Sequence, residues 1–262
     1  LCANLRPMPL CTAIGSNGFQ IQTTEHVLSA LWGLGIDNAF IEITSEEVPV
    51  LDGSAAPFVQ LIQAAGVIPQ GRPRTYLKIL QPLFVGNQER SLSIVPSAFP
   101  KITYSIIYDH HLIQHQTYEY DWAISEFKRD IAEARTFAFS HEVESLWARG
   151  LGQGGSLENT IVLSDDGVLN EDGLRFPDEC VRHKVLDLIG DFSLLGLPVI
   201  GHIIANRSGH HLHTELVQAI LDNPNTWTLL GTQEEHQHAL ADIPHNGNGH
   251  PHSVSLAANS LF

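Results

Sequence analysis

One local pattern occurs twice in the sequence: a helix with a histidine near its start, then glycines, then an apolar strand. The first copy begins at Thr24 and carries His26, and the second spans residues 178–192 and carries His183. Apolar residues at helical spacing support a helix in both places, because one face can then be buried. A duplicated domain would put the two histidines in comparable places on two facing units.

The remaining segments alternate between strands and helices. Apolar periodicity and turn residues predict strands over 39–43, 76–85, 91–95, 102–108 and 199–205, helices over 55–65, 121–135 and 212–221, and a strand–turn–strand over 159–169. Residues 69–74 are rich in proline, glycine and arginine, which is typical of a linker, and they mark a domain boundary. We therefore expect a first domain over 1–69, a second over 75–222, and a disordered His/Asn/Gly-rich tail over 223–262.

The charge of the chain limits its partners. The 14 Lys and Arg residues against 29 Asp and Glu residues give a net charge of −15. Binding along a nucleic-acid backbone requires many cations that displace counterions, so we expect no nucleic-acid partner. A local basic pocket for one nucleotide is still compatible with this balance.

Cysteine usage and hydropathy indicate the compartment. The three cysteines are an odd and sparse count, so they provide no disulfide framework and fit a reducing environment. They include no CxxC pair, so we expect no thiolate metal site. No apolar stretch is long enough to span a bilayer, and the first residues lack the basic and apolar regions of a signal peptide. We therefore expect a cytoplasmic protein.

The helix over 178–192 carries a polar stripe in apolar surroundings. His183 and Asp187 are four residues apart and share one face, where an imidazole nitrogen and a carboxylate oxygen can bind one divalent ion. Asp191 extends the stripe by one turn, and Lys184 lies beside it. The alternative is an amphipathic helix with a solvated polar face.

Three further places offer polar groups suited to chemistry. Glu25 and His26 can supply a general base and a metal ligand in one dipeptide, or Glu25 can simply favour the helix dipole. His210 follows a glycine at a helix start, where an imidazole can approach a substrate, although a surface histidine fits equally well. The hydroxyl of Thr136 can face a developing oxyanion, or it can have a structural role at a helix end.

These residues lie within longer motifs. The motifs are TEH at 24–26, GLGIDN at 33–38, LDGSAAPF at 51–58, ARTF at 134–137, GGS at 154–156, LNEDGLRF at 169–176, HKVLDLIGD at 183–191 and SGH at 208–210. In these motifs and their order the sequence resembles the UDP-3-O-acyl-N-acetylglucosamine deacetylase family of lipid A synthesis. The resemblance implies a metal-dependent amide hydrolase that removes the N-acetyl group and gives a free amine and acetate.

The resemblance also implies a metal site. It assigns His26, His183 and Asp187 as ligands of one Zn²⁺, with water in the fourth position, and Fe²⁺ suits the same donors. Glu25 is implied as the general base that deprotonates the zinc-bound water.

Five other side chains receive roles from the same resemblance. His210 would donate a proton to the leaving amine or stabilise the intermediate, and Asp191 would orient its ring. Thr136 would help to stabilise the oxyanion. Lys184 is implied as a catalytic residue that also binds substrate near the diphosphate, and Phe137 would bind substrate.

The family's fold is α+β, with two similar layered domains whose helices pack between two sheets. A β-rich insertion near 157–176 would form an apolar passage for the acyl chain. Family members have strands before the point at which this chain begins, so we expect a first domain truncated at its N-terminus. The expected partner is the UDP-linked acylated amino sugar, and the protein is expected to be a monomer whose membrane contact is at most peripheral, through the acyl chain.

Two other functions fit the same residues. A catalytically inactive or fragmentary homologue would bind an acylated nucleotide sugar without hydrolysing it. A related metallohydrolase would act on another acylated amino sugar. The complete set of polar residues favours hydrolysis over the first alternative. Metal ligands do not encode acyl length or nucleotide, so the second stays open.

Overall fold

A computed structural model describes residues 2–6, 8 and 10–231, and this part of the chain is a mixture of helices and sheets. It contains six α-helices: α1 (Glu25–Gly33), α2 (Ala56–Ala65), α3 (Phe127–Asp130), α4 (Ser140–Ala148), α5 (Glu179–Phe192) and α6 (His210–Asp222). Its strands are β1 (Leu5–Arg6), β2 (Ala13–Ser16), β3 (Phe19–Ile21), β4 (Tyr76–Ile79), β5 (Leu83–Gly86), β6 (Ser91–Val95), β7 (Lys101–Ile107), β8 (His115–Asp121), β9 (Phe137–Phe139), β10 (Ile161–Ser164), β11 (Gly167–Val168), β12 (Val199–Ile200), β13 (His202–Asn206) and β14 (Trp227–Leu230). The predicted α+β class is confirmed.

The strands of the described residues form four sheets. The largest has the order β5-β6-β13-β7-β8, and its pairs are antiparallel except for the parallel pair β13–β7. The other three have the orders β1-β2-β3, β11-β10-β9 and β12-β4-β14. Buried and partly exposed residues alternate along β6 and β7, so one face of the large sheet packs against α5 and α6.

Helices α1 and α5, the two histidine-bearing helices of the repeated pattern, pack against each other. Their close approach depends on Gly190, because a Cβ atom there would lie 2.1 Å from the Glu25 carbonyl oxygen. α5 is buried along almost its whole length. Polar side chains on such a helix must therefore find partners inside the protein.

Two strands that were predicted as continuous are each divided between two sheets. The strand predicted over 76–85 breaks before Pro82, which has no N–H to donate to a ladder, and gives β4 and β5. The strand predicted over 199–205 breaks at Gly201, where a Cβ atom would lie 3.0 Å from the Ile79 side chain, and gives β12 and β13. At both breaks the chain crosses from the β12-β4-β14 sheet to the five-stranded sheet.

Two predicted elements are wrong. Only α3 forms within the helix predicted over 121–135, because Asp121 ends β8 and the Arg135 backbone N–H is bound to a buried carboxylate of α5. Tertiary contacts at both ends override the apolar spacing. The strand predicted over 39–43 does not form, and its apolar run leaves Phe40 87% exposed.

The tail predicted over 223–262 starts too early. Trp227–Leu230 forms β14, paired with β4, so the predicted disorder is wrong for this part, and residues 232–262 lie outside the described residues. The predicted linker at 69–74 has neither helix nor strand. The sequence patterns did not predict β1, β2, β3, β8, β9 and α4. Among the described residues, none of the helices combines the length and the hydropathy of a membrane span.

Candidate metal centre and catalytic site

Three helices bring the predicted polar residues to one place. The residues come from α5 (His183, Asp187, Asp191), from the start of α1 (Glu25, His26) and from the first position of α6 (His210). The three α5 residues share one face because they are four positions apart. All six side chains are buried except that of His210, which is 13% exposed.

The centre of the site is a group of two imidazoles and one carboxylate. Oδ1 of Asp187 lies 3.3 Å from Nε2 of His183 and 3.7 Å from Nε2 of His26. The potential ligand atoms of the three residues all lie within 4.8 Å of one another. Two imidazole nitrogens and a carboxylate oxygen are a donor set that open zinc sites use.

Both imidazoles are held in the state that a metal requires. Nδ1 of His183 lies 3.0 Å from the Ala134 carbonyl oxygen, so the N–H is assigned to Nδ1 and the lone pair of Nε2 faces the cluster. Burial lowers the pKa of His183, and burial together with the nearby His183 lowers the pKa of His26 to about 3. Neutral imidazoles beside an anionic Asp187 fit a divalent cation.

Lys184 extends the site towards the predicted substrate-binding residues. Its Nζ lies 2.5 Å from Oδ2 of Asp187 and 5.8 Å from the centre of the Phe137 ring. Burial opposes the charged form of both groups, but nearby positive charge, that of Lys184 included, holds the pKa of Asp187 well below its usual value. The Asp187 carboxylate in turn raises the pKa of Lys184 against the effect of burial.

Glu25 lies beside this group and accepts a backbone hydrogen bond. Its Oε2 accepts the Thr12 N–H at 2.9 Å, and its Oε1 lies 4.0 Å from Nε2 of His210. Burial raises the pKa of Glu25 to about 7, with His210 opposing the shift. A carboxylate with such a pKa can accept a proton near neutral pH.

His210 forms a pair with Asp191. Its Nδ1 lies 2.7 Å from Oδ2 of Asp191, and its Nε2 lies 3.8 Å from Oδ2 of Asp187. Burial alone would lower the pKa of His210, but the Asp191 carboxylate outweighs it and raises the pKa to about 9. His210 can therefore carry a proton on the nitrogen that faces the site.

Thr136 is held at the border of the site by its backbone. Its N–H donates to the Gly53 carbonyl oxygen at 2.9 Å, and its carbonyl oxygen accepts from the Ile161 N–H at 2.8 Å. It lies two residues beyond Ala134, whose carbonyl accepts from His183. The segment that carries Thr136 and Phe137 is therefore tied to the metal-ligand candidates.

Three residues that touch the site were not predicted: Thr12, Tyr104 and His213. Nδ1 of His213 lies 2.7 Å from Oδ2 of Asp191, and the Tyr104 hydroxyl lies 3.1 Å from its Nε2. His213 follows His210 by three residues on α6, and this spacing is a signal that the sequence contains. Nothing in the local sequence marks Thr12 or Tyr104.

The site combines two imidazoles and a carboxylate that can hold a cation with a second carboxylate and a His–Asp pair. This combination is typical of the class of metal-dependent hydrolases. Within that class, residues 2–222 match the UDP-3-O-acyl N-acetylglycosamine deacetylase family, and the chain belongs to this family. The resemblance inferred from the motifs is thus confirmed.

Relatives with the name UDP-3-O-acyl-N-acetylglucosamine deacetylase cover most of the chain. The relative from Syntrophotalea carbinolica is 48% identical over 238 residues, which are 90% of this chain and 76% of the relative. The relative from Syntrophus aciditrophicus is 42% identical over 92% of this chain and 79% of its own length. The relative from Myxococcus xanthus is 45% identical over 84% of this chain and 70% of its own length.

Proposed function

We propose that this protein hydrolyses the N-acetyl group of UDP-3-O-acyl-N-acetylglucosamine in lipid A biosynthesis. The observation that carries the proposal is the buried group of His26, His183 and Asp187 beside His210. Nε2 of His210 lies 3.8 Å from Oδ2 of Asp187 and 4.0 Å from Oε1 of Glu25. Membership of the deacetylase family supports the choice of an amide substrate.

His26, His183 and Asp187 would hold the metal ion. Zn²⁺ is the first candidate, and Fe²⁺ accepts the same nitrogen and oxygen donors. A divalent ion bound there supplies a Lewis acid for the acetyl carbonyl and lowers the pKa of water. Nδ1 of His26 is buried and has no hydrogen-bond partner among the described residues, whereas its Nε2 lies 3.7 Å from Oδ1 of Asp187.

Glu25 and His210 would move the two protons of the hydrolysis. Oε1 of Glu25 accepts a proton from the water that attacks the acetyl carbon. When the C–N bond breaks, Nε2 of His210 gives a proton to the departing nitrogen, so the products are the free amine and acetate. Asp191 keeps His210 oriented through its contact with Nδ1.

The substrate would lie along the segment that follows Ala134. Thr136 would donate to the oxyanion, and Phe137 and Lys184 would contact the nucleotide sugar, with the Lys184 ammonium near the diphosphate. The β10–β11 hairpin lies inside the predicted insertion at 157–176, which would form the apolar passage for the acyl chain. The proposal includes two layered domains that meet at the site, and a monomeric, cytoplasmic protein.

The test is acetate release from three substrates with the metal-loaded protein. We expect turnover of the UDP-linked acylated sugar, and much lower kcat/KM for the same sugar without UDP or without the acyl chain. Equal turnover of the sugar without UDP would favour a different acylated amino sugar as substrate. Binding of the UDP-linked substrate without acetate release would instead support an inactive homologue, which the assembled site does not favour.

A further inference from the structure

The Asp191 carboxylate accepts hydrogen bonds from three side chains, two of them on α6 and one from the residue just before β2. Its Oδ2 lies 2.7 Å from Nδ1 of His210 and 2.7 Å from Nδ1 of His213, and its Oδ1 accepts the hydroxyl hydrogen of Thr12. Asp191, His213 and Thr12 are all buried. A carboxylate held by donors on both oxygens has one orientation.

His213 is itself fixed in one tautomer. The Tyr104 hydroxyl lies 3.1 Å from Nε2 of His213, and both side chains are buried. Because the ionised Asp191 carboxylate can only accept, the ring N–H of His213 is assigned to Nδ1, and the lone pair of Nε2 accepts the tyrosine hydroxyl hydrogen. Burial also lowers the pKa of His213, which favours the neutral ring.

Thr12 is bonded both to Glu25, the proposed base, and to Asp191, which orients the proposed acid His210. Its backbone N–H donates to Oε2 of Glu25, and its hydroxyl donates to Asp191. Its carbonyl oxygen accepts both the N–H and the hydroxyl hydrogen of Thr24, the residue before α1, each at 3.0 Å. The position of Thr12 is therefore set by the same helix end that carries Glu25.

We propose that Thr12 and His213 are positioning residues that fix the Asp191 carboxylate. Held in this way, Asp191 keeps the His210 ring in the orientation in which Nε2 lies 4.0 Å from Oε1 of Glu25. The inference rests on the proposed function, because it is there that His210 takes part in proton transfer. Thr12 contacts Oε2 of Glu25 at 2.9 Å and Nδ1 of His210 at 3.3 Å, whereas the proposed proton transfers use Oε1 of Glu25 and Nε2 of His210.

Two substitutions at His213 distinguish the effect of losing the hydrogen-bond donor from the effect of losing the volume of the ring. His213→Leu removes the donor to Asp191, and His213→Asn retains an N–H donor near the position of Nδ1. Loss of a hydrogen bond of this kind typically lowers activity about 10–100-fold. We expect that loss in kcat for His213→Leu, with KM and metal content unchanged, and recovery of most of it in His213→Asn.

Substitutions at Thr12 remove a different donor to the Asp191 carboxylate, one that does not belong to α6. They test the same inference if His213→Leu does not fold. Thr12→Val should lower kcat and Thr12→Ser should restore most of it, because only the hydroxyl differs in its contact with Asp191. The control is Thr226→Val, which removes another buried threonine hydroxyl, bonded to the Asn223 carbonyl oxygen at 2.7 Å. The control should lose stability without losing kcat.

A second measurement does not depend on turnover. The ring N–H proton of His210 that is bonded to Asp191 should give a downfield NMR signal, assigned by its absence in His210→Ala. We expect this signal to broaden or shift upfield in His213→Leu and Thr12→Val and to return in His213→Asn and Thr12→Ser.

The inference would be overturned if His213→Leu and Thr12→Val both kept the NMR signal and the kcat of the wild-type protein. If the wild-type protein releases no acetate, the proposed function fails, and the NMR signal alone then decides whether Thr12 and His213 hold the Asp191–His210 pair.

Discussion

Glu25 and His26 are neighbours in the chain, but their side chains contact different groups. Oε2 of Glu25 accepts the Thr12 N–H, whereas Nε2 of His26 lies 3.7 Å from Oδ1 of Asp187. A helix permits this separation because consecutive side chains point about 100° apart. At the residue scale, one dipeptide can therefore supply both a proton acceptor and a metal ligand.

Substitution of the proposed base and substitution of a proposed metal ligand should have different effects on metal content and turnover. Glu25→Gln should retain about one metal ion per chain and lose about 10²–10⁴-fold in kcat, because only the proposed general base is removed. His183→Ala should lose metal and activity together. Metal analysis by mass spectrometry and acetate release measure the two properties.

The matched control for the histidine is His211→Ala, since the His211 side chain lies next to His210 in the chain and is 89% exposed. It should keep both metal and activity. Loss of metal in Glu25→Gln to the same extent as in His183→Ala would contradict the separation of roles.

The rate of hydrolysis should depend on pH as a bell-shaped curve. Glu25 must be deprotonated to act as a base, so kcat/KM rises with pH through its pKa of about 7. His210 must be protonated to act as an acid, so kcat/KM falls through its pKa of about 9. A bound cation disfavours protonated groups, so both limbs should lie at or below these values. Retention of the falling limb in a residually active His210→Gln variant would assign that limb to another group.

At the scale of elements, the site exists because α1 and α5 are in close contact. His26 comes from one helix and His183 and Asp187 come from the other. The two helices meet at Gly190, directly opposite the backbone of Glu25. The distance between the candidate ligands thus depends on a position that has no side chain.

Gly190→Ala should therefore damage both stability and metal binding. The added Cβ atom would lie 2.1 Å from the Glu25 carbonyl oxygen, so the helices must move apart, at a cost of about 2 kcal/mol or more. Urea titration and metal analysis measure the two effects. The control is Gly71→Ala, at an exposed position with open space around it, which should cost less than about 0.5 kcal/mol. Full metal occupancy in Gly190→Ala would show that the helix contact does not set the ligand geometry.

At the scale of the whole molecule, a buried ion pair connects segments that are distant in sequence. Nε of Arg135 lies 3.0 Å from Oε1 of Glu179, and the two side chains are 2% and 0% exposed. Arg135 also donates to the Gly173 carbonyl oxygen at 2.6 Å and to the Asp172 carboxylate at 2.9 Å. The pair thereby joins the start of α5 to the segment that carries Thr136.

Removal of one partner of this pair should be costly. Glu179→Gln leaves the buried guanidinium of Arg135 without its buried counter-charge, and we expect a loss of about 3 kcal/mol in the free energy of unfolding. Asp172→Asn is the matched control, because Asp172 binds the same guanidinium but is 63% exposed, and it should cost at most about 1 kcal/mol. Urea titrations in which both variants lose equal stability would contradict the importance of burial.

The sequence by itself determined the helices α1 and α5 and the candidate site residues that lie on them. The spacing of His183, Asp187 and Asp191 puts them on one face whatever the rest of the fold, because helix geometry is local. The helix that begins at Thr24 and the helices over 55–65 and 178–192 were predictable for the same reason, since local apolar spacing was enough to define them.

Only the tertiary structure decided which distant groups meet that face. Thr12 and Tyr104 reach the Asp191–His213 pair from other parts of the chain, and no local pattern encodes such contacts. The strands predicted over 76–85 and 199–205 were divided for a related reason: an apolar run favours a strand, but pairing with distant strands decides which sheet each part joins. Local spacing determines which side chains lie on one face of an element, whereas long-range packing determines which distant residues contact that face.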